Sequence, residues 1–134
     1  MAVLLLAVLG FRLFGSDRPE PPQPAAQRMP QLVRGEERVV VEVLNGTDRR
    51  GLARLVTRLL RQGGLDVVYF GTADPPGAKQ TEVLVRRGDD SVVAARIVRA
   101  LGAGRVRRAP APNRYVDLTV LIGADYVPPP SLRP

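Results

Sequence analysis

The sequence predicts an α/β domain of the α+β type, a split βαβ sandwich with both helices on one face of a four- to five-stranded mixed sheet. Short segments rich in β-branched residues alternate along residues 37–126 with two segments whose apolar residues recur at helical spacing. Clusters of glycine and proline separate them. The resulting order is β-α-β-β-α-(β)-β, and right-handed crossovers place both helices on the same side of the sheet.

The first half of this domain consists of a strand, a turn and an amphipathic helix. Residues 38–44 are dense in valine and predict a buried strand. Residues 45–47, Asn-Gly-Thr, follow as a turn, because Asn and Gly tolerate positive φ. A helix begins near Gly51 with its leucines on one side, and Thr47 or Asp48 is positioned to cap it. Two glycines after this helix are typical of a helix end.

The second half of the domain supplies the remaining elements. Strands are predicted at residues 65–70 and 81–86, with a loop between them that contains two prolines and two glycines. A second amphipathic helix is predicted at 91–101, because its apolar residues recur at helical spacing and two glycines follow. A short edge strand at 106–109 and a final strand at 115–122 complete the sheet.

The segment before the domain is predicted to attach it to a membrane. Residues 1–15 are apolar apart from Arg12 and predict a membrane anchor or signal segment. A single-pass anchor is the first interpretation, and a cleaved signal peptide or an apolar tail on a soluble protein are the alternatives. Because no basic segment precedes the apolar run, we expect the natural chain to begin upstream. The nearest arginines follow the run, so the positive-inside rule does not establish the topology.

The regions that flank the domain are predicted to lack a packed structure. Residues 16–36 contain five prolines and mixed charges, which predict an extended tether between membrane and domain. Residues 127–134 are predicted to form a disordered tail. Together with the anchor, this organisation predicts a single-pass protein of the cell membrane with an extracytoplasmic domain.

Composition restricts the chemistry that the chain can perform. The formal net charge is +7, with 20 Lys and Arg residues against 13 Asp and Glu residues, which favours an anionic partner. Cysteine and histidine are both absent. Ser-His and Cys-His hydrolases are therefore excluded, as are disulfides and the usual ligands of zinc. We predict no catalytic residue, no metal site and no cofactor.

Two features suggest a surface for a ligand or a partner. The loop after the first strand could receive an anion on its amides and on the helix N-terminus, although turn geometry and a closely packed helix also account for its residues. Arginines on the outer faces of both helices could form a basic surface, or an ordinary solvated face in an arginine-rich sequence. The candidate residues are Asn45, Gly46, Thr47, Arg49, Arg50, Arg54, Arg58, Arg61, Arg96 and Arg99.

Three stretches of the sequence resemble a known family. They are VVVEVLNGTDRRGLARLVTRLLRQGGLDVV, TEVLVRRG before the second helix, and VDLTVLIGADY. Over residues 38–126 they are similar to the LytR C-terminal domain family, a module often found behind the LytR/CpsA/Psr catalytic domain of bacterial envelope proteins. The resemblance implies an envelope location and a binding or accessory role near the cell wall. The resemblance does not extend to that catalytic domain, so it carries over no transferase activity.

One principal function and two alternatives follow. The principal prediction is a non-catalytic, membrane-anchored envelope domain that binds cell-wall glycan, anionic polymer or an envelope protein. A basic nucleic-acid-binding module is the first alternative, but the strand at 81–86 lacks the aromatic residues on which RNA-recognition sheets stack bases. A SPOR-like peptidoglycan binder is the second, and the spacing of the Asn-Gly-Thr and Gly-Leu-Ala motifs fits the LytR C-terminal pattern better.

Overall fold

Within the residues that the structure describes, seven regular elements follow the order that the sequence predicts. The computed structural model describes residues 30–33, 38–111 and 115–130. The elements are β1 (Val40–Asn45), α1 (Leu52–Gln62), β2 (Asp66–Thr72), β3 (Glu82–Val85), α2 (Ser91–Leu101), β4 (Arg105–Arg108) and β5 (Leu118–Ile122). Neither of these two helices has the length and apolar character to cross a bilayer. The predicted anchor at 1–15 and most of the predicted tether lie outside the described residues.

The five strands form one mixed sheet in the order β2-β1-β5-β3-β4. β1 is parallel to β2 and β5, β3 is parallel to β4, and β3 and β5 are antiparallel. The predicted class, an α+β fold with a mixed sheet, is confirmed. The position of the inserted strand differs from the expected one. The two strands of each βαβ unit are neighbours in the sheet, and β5 lies between the two units. β5 takes this central place because its residues are apolar enough to be buried on both faces.

Both helices pack on one face of the sheet, as predicted. α1 lies against β1 and β2, whereas α2 lies against β3 and β4. Because the side chains of a strand alternate between faces, every second residue of the central strands points towards the helices. Each such buried side chain contributes about 1.5–3 kcal/mol relative to exposure. The strands supply Val41, Val43, Val83, Val85, Leu118, Val120 and Ile122 to this core, and the helices supply Val56, Leu60, Ala94 and Ile97.

The opposite face of the sheet carries a polar network beneath the connection from β2 to β3. Thr119 donates from Oγ1 to Oε1 of Glu42 at 2.7 Å, and Arg86 donates from Nε to Thr119 Oγ1 at 3.0 Å. Glu42 and Thr119 are both buried, so these hydrogen bonds compensate for the loss of water. Residues 73–81 connect β2 to β3, and part of this connection encloses a cleft of about 390 Å³ together with Leu44, Leu84 and Leu121.

A short segment before β1 is part of the core. Leu32 and Val33 are 1% and 4% exposed, although both belong to the segment 16–36 that was predicted to be an extended tether. The Leu32 N–H donates to the Gly63 carbonyl at the end of α1 at 2.9 Å. Its carbonyl accepts from Arg96 Nη1, on α2, at 3.3 Å. Leu32 thereby connects the two helices. The prediction missed this contact because two apolar residues among prolines are too few to show a periodicity.

One carboxylate fixes the β4 edge of the sheet. Glu82 Oε1 accepts from Arg105 Nη2 at 2.7 Å, and Glu82 Oε2 accepts from Arg107 Nη2 at 3.2 Å. Burial acts to raise the pKa of Glu82, but hydrogen bonds and charge from the two arginines outweigh it and hold the pKa below its usual value. The arginine side chains are 62% and 52% exposed, so solvent screens both pairs and keeps their contribution modest.

We expect Glu82→Gln to lower the free energy of unfolding by about 1 kcal/mol at neutral pH. A carboxylate with a depressed pKa in the folded state stabilises the protein above its unfolded pKa, which is about 4.3. That stability is lost as the pH falls through the folded pKa. Urea denaturation of wild type and variant should therefore give curves that converge as the medium is acidified from about pH 6 to about pH 3. A gap of constant size across this range would contradict the assignment.

We also expect Leu32→Ala to lower the free energy of unfolding by about 2–4 kcal/mol, because it leaves a cavity between the two helices. Val127→Ala is the matched control. Val127 is 62% exposed, and its truncation should change stability by less than about 0.5 kcal/mol. Chemical denaturation of the full chain measures both values. Equal effects of the two substitutions would show that residues 30–33 do not dock on the domain.

Candidate functional site

The turn after β1 is closed by its own side chains. Asn45 Oδ1 accepts hydrogen bonds from the N–H and the Oγ1 of Thr47 at 3.0 and 2.7 Å, and its Nδ2 donates to the Arg49 carbonyl at 2.8 Å. Thr47 Oγ1 in turn accepts from the Arg49 N–H at 3.1 Å. The polar groups of Asn45 and Thr47 are therefore engaged within the loop, as in an Asx turn.

Gly46 is required by close packing and not by its φ angle. The sequence predicts a positive φ angle in this turn. That prediction is wrong for Gly46, whose φ angle is not positive. Its N–H donates to the Ile122 carbonyl at 2.9 Å, and its carbonyl accepts from Gly77 and Ala78 at 2.8 and 2.9 Å. A Cβ at this position would lie 2.5 Å from the Ala78 Cβ, so no other residue fits without a shift of the backbone.

Gly51 opens α1 for the opposite reason. It is the N-cap residue with φ of 84°, a left-handed conformation that favours glycine, and a Cβ there would meet nothing within 4 Å. The predicted cap by Thr47 or Asp48 is wrong, because the N-cap residue is Gly51, no side chain in the described part of the chain caps the helix, and the Thr47 hydroxyl is used inside the turn. The first turn of α1 consequently presents backbone N–H groups without a side-chain acceptor.

The final turn of the domain meets this loop. Arg49 donates from Nη2 to the Tyr126 carbonyl at 2.8 Å and to the Gly123 carbonyl at 3.4 Å. Asp125 Oδ1 accepts from the N–H and the Oγ1 of Thr81, both at 2.7 Å. Tyr126 is 1% exposed, and burial raises the pKa of its hydroxyl against the opposing charge of Arg49. Arg49 is thus a bridge between two segments of the fold.

The three most distinctive stretches of the sequence therefore meet at one corner of the sheet, beyond the carboxyl ends of β1 and β5. They are residues 45–47, 51–53 and 123–126. A family model described as LytR cell envelope-related transcriptional attenuator matches residues 38–126, which include all three stretches. The chain belongs to the LytR C-terminal family. The resemblance inferred from the sequence is confirmed, and membership places the domain among cell-envelope-related proteins.

Two further comparisons found no relative of this LytR C-terminal domain. No curated protein matches the chain, and no solved structure matches it. The site must therefore be interpreted from its own geometry.

The candidate arginines divide into a structural group and an exposed group. Arg61 donates from Nη2 to the Val67 carbonyl at 2.8 Å, and Arg96 holds the Leu32 carbonyl as described above. With Arg49, these side chains serve the fold. Four arginines remain exposed without a hydrogen bond or ion pair to any described residue: Arg50, Arg54, Arg58 and Arg99. Three of these lie at the start of α1 and along it.

A cleft lies between the opening of α1 and the end of β2. It has a volume of about 570 Å³ and is lined by the turn, by Arg50 and Arg54, and by Phe70 from β2. Asp48 is the one carboxylate among its lining residues. The N–H groups of the first turn of α1 and the positive end of its dipole add to the charge of the arginines. The electrostatics of this cleft favour an anion.

A groove of about 540 Å³ continues from this cleft along α1. Its lining comprises Arg54, Arg58, Arg61, Gln62 and Phe70, so Arg54 and Phe70 are shared with the cleft. Phe70, on the edge strand β2 beside α1, is 39% exposed. From residue 50 to residue 61 the surface extends about 16 Å at the α-helical rise. It is long, open and basic, which suits a linear ligand better than a compact one.

The acidic residues of the domain are placed for structure. Asp117 Oδ2 accepts from the Val40 N–H at 2.9 Å at the start of β1, whereas Asp125 holds Thr81 before β3. The two carboxylates therefore serve different strands and do not form a catalytic pair. Among the described residues no group of three or more His, Cys, Asp or Glu side chains could hold a metal ion.

Sequence reasoning missed the aromatic part of this surface. Tyr69 and Phe70 were predicted to belong to a strand, and nothing in the pattern shows that this strand is an edge. A strand that is covered on only one face exposes every second side chain, so the exposure of adjacent residues depends on the edge position of β2. In β2, Val68, Tyr69 and Phe70 are all exposed.

Asn45→Ala is expected to lower the free energy of unfolding by about 2–3 kcal/mol, because three hydrogen bonds in a nearly buried loop are lost. Asp48→Ala, next to the same loop, should change it by less than about 0.5 kcal/mol, since Asp48 caps nothing. Thermal or urea denaturation distinguishes the two variants. A large effect of Asp48→Ala would restore the helix-cap interpretation that the structure replaces.

Proposed function

We propose that this domain is a non-catalytic module of the cell envelope that binds an anionic wall polymer on the exposed face of α1. The observation that carries the proposal is the row formed by Arg50, Arg54 and Arg58. These guanidinium groups are exposed, make no ion pair with a described residue, and lie beside a cleft that residues at the N-terminus of α1 line. Arginines that stabilise this fold, such as Arg49 and Arg61, donate hydrogen bonds to backbone carbonyls, and these three donate to none among the described residues.

The chemistry of the row favours a ligand with several separated negative charges. Arginine presents a planar fork of donors that matches phosphate and carboxylate oxygens in pairs. Arg54 and Arg58 are one helical turn apart, about 6 Å at a rise of 1.5 Å per residue. A compact anion could use one of these sites, but only an extended polyanion can contact the cleft and the groove together. Contacts of this kind are individually weak at an exposed surface and become useful when they are repeated along a polymer.

The position of the domain in the cell follows from the same proposal. Membership of a cell-envelope-related family supports a location where such polymers occur. We further propose that residues 1–15 anchor the chain in the cell membrane and that the proline-containing residues after them hold the domain away from the bilayer. The domain would then present α1 to the wall from a fixed distance. No transferase role is proposed, because the candidate surface brings together no nucleophile and general base.

The proposal is tested by retention of the full chain on purified wall sacculi. Sacculi that keep their covalently attached anionic polymer are compared with sacculi from which acid extraction has removed it. We expect retention on intact sacculi, a loss of at least about tenfold on stripped sacculi, and a steep decrease as salt is raised, because the contacts are electrostatic. The variant Arg50→Gln/Arg54→Gln/Arg58→Gln should show a similar loss on intact sacculi.

The matched control is Arg87→Gln/Arg99→Gln/Arg108→Gln. It removes the same number of exposed arginines from the other half of the domain, so both triple variants have the same net charge. Retention of the control should stay close to that of wild type. Equal losses in the two triple variants would mean that net charge alone governs binding. Equal retention on stripped and intact sacculi would mean that the anionic polymer is not the ligand.

A further inference from the structure

Among the described residues no strand pairs with the outer edge of β2, and this strand carries three consecutive exposed apolar residues. Val68, Tyr69 and Phe70 are 53%, 55% and 39% exposed, and β2 is the last strand on its side of the sheet. A sheet edge of this kind presents a row of backbone donors and acceptors that can template another strand. No charged side chain occurs among residues 67–72 to prevent such pairing.

The backbone register shows which groups of β2 point outwards. Ala73 N–H donates to the Asn45 carbonyl, and Asn45 pairs with Thr72 in the parallel ladder. In such a ladder alternate residues bond to the neighbouring strand, so the N–H and C=O groups of Thr72 and Phe70 face away from β1. The bulge between Val41 and Glu42 interrupts the register opposite Val68. The regular part of the free edge is therefore short and runs from Tyr69 to Thr72.

The opposite edge of the sheet is protected in a way that this edge is not. β4 consists of Arg105, Val106, Arg107 and Arg108, so three of its four residues are charged. Two of these arginines are also paired with Glu82 on the neighbouring strand. Charged side chains on an edge strand oppose the approach of another strand. In β2 no residue from Val67 to Thr72 is charged, and Arg61 of α1 engages only the Val67 carbonyl, which leaves the stretch from Tyr69 to Thr72 available to a partner.

The surroundings of β2 specify the chemistry of a docked strand. Phe70 lies on the helix side of the sheet, where Arg54, Arg58 and Arg61 line the groove beside it. Tyr69 pairs with Glu42, so its side chain lies on the opposite face. A strand added to this edge would direct alternate side chains towards the arginines and the others towards Tyr69. The complementary sequence alternates acidic and apolar residues.

A second copy of this chain does not meet that requirement. Two copies paired through β2 about a two-fold axis perpendicular to the sheet would place both α1 helices on the same side, with their arginine rows facing each other. The charge of +7 on each chain adds to this repulsion. The partner is therefore a different protein.

We propose that the outer edge of β2 accepts a short, acidic, extended segment of a partner protein as a sixth strand. Backbone hydrogen bonds to Phe70 and Thr72 supply the pairing, and the arginines of α1 select acidic side chains on one face of the segment. The inference does not rest on the proposed polymer binding, because it uses the backbone edge of β2.

The probe is a labelled eight-residue peptide of alternating Glu and Val, titrated with the full chain and followed by fluorescence anisotropy. We expect binding that a peptide of alternating Lys and Val weakens at least about tenfold, because it reverses the charge complementarity. N-methylation of alternate residues of the Glu-Val peptide should weaken binding by a similar factor, since it blocks one backbone edge without changing the side chains. The amides of Phe70 and Thr72 should gain protection from hydrogen exchange when the Glu-Val peptide binds.

The protein variants are chosen at Thr72, which is exposed at the end of the edge. Thr72→Pro removes an outward N–H that β1 does not use, and should weaken binding about fivefold, the scale of one hydrogen bond. Thr72→Val keeps the N–H and should bind as wild type does. Thermal denaturation verifies that both variants are folded, and failure of Thr72→Pro to fold leaves N-methylation and exchange protection as the deciding measurements.

Two results would overturn the proposal. Equal binding of the N-methylated and unmodified peptides would show that charge alone holds the peptide. No binding of the Glu-Val peptide by a chain that is retained on intact sacculi would show that the surface serves the polymer only. The reverse pattern, peptide binding without retention on sacculi, supports the strand-docking site and refutes the polymer proposal. The two proposals therefore fail separately.

Discussion

Gly46 lies where three segments of the chain meet, and the lack of a side chain there is the constraint on which the rest of the domain depends. Its N–H bonds to the end of β5, and its carbonyl accepts two N–H groups from the connection between β2 and β3. Arg49, three residues later, reaches the final turn at Tyr126. This junction joins the end of β1 to the end of β5 and to the connection between β2 and β3. Residues 45–47, 51–53 and 123–126, the most distinctive stretches of the sequence, meet at this junction and lie within the region that the family model matches.

Most of the fold could be predicted from the sequence because its elements are locally consistent. Valine-rich segments and helical periodicity identify β1, α1, β3 and α2 without information from distant residues. The two glycines of the first loop show where local reasoning ends. Gly46 was expected to adopt a positive φ angle, and Gly51 to allow the helix to pack closely on the sheet. In the structure Gly51 has the positive φ angle and Gly46 the close packing. Both errors have the same origin, since close approach depends on segments far away in the chain. Leu32 was missed for that reason as well.

The candidate site was predictable in composition but not in detail. Arginine spacing along α1 identified the basic face, yet the same spacing cannot separate Arg58, which has no partner among the described residues, from Arg61, which donates to the Val67 carbonyl. That distinction depends on which backbone groups the folded chain leaves without a partner. Phe70 lies on this surface because β2 is the outermost strand beside α1, which only the strand order of the folded sheet shows. A basic helix beside an edge strand that lacks charged residues from Val67 to Thr72 is a combination that either element alone does not suggest, and both proposals are based on it.

β5, the last of the described strands in the sequence, occupies the middle of the sheet, and this affects the order in which the domain can fold. β5 joins β1 on one side and β3 on the other, and the hydrogen bond between Val40 and Asp117 spans 77 residues. Until β5 is in place, the β1–β2 and β3–β4 units have no strand between them. Contacts of such long range form slowly, and a ribosome delivers them last. A chain assembled in this order keeps its sheet incompletely paired until β5 has been synthesised.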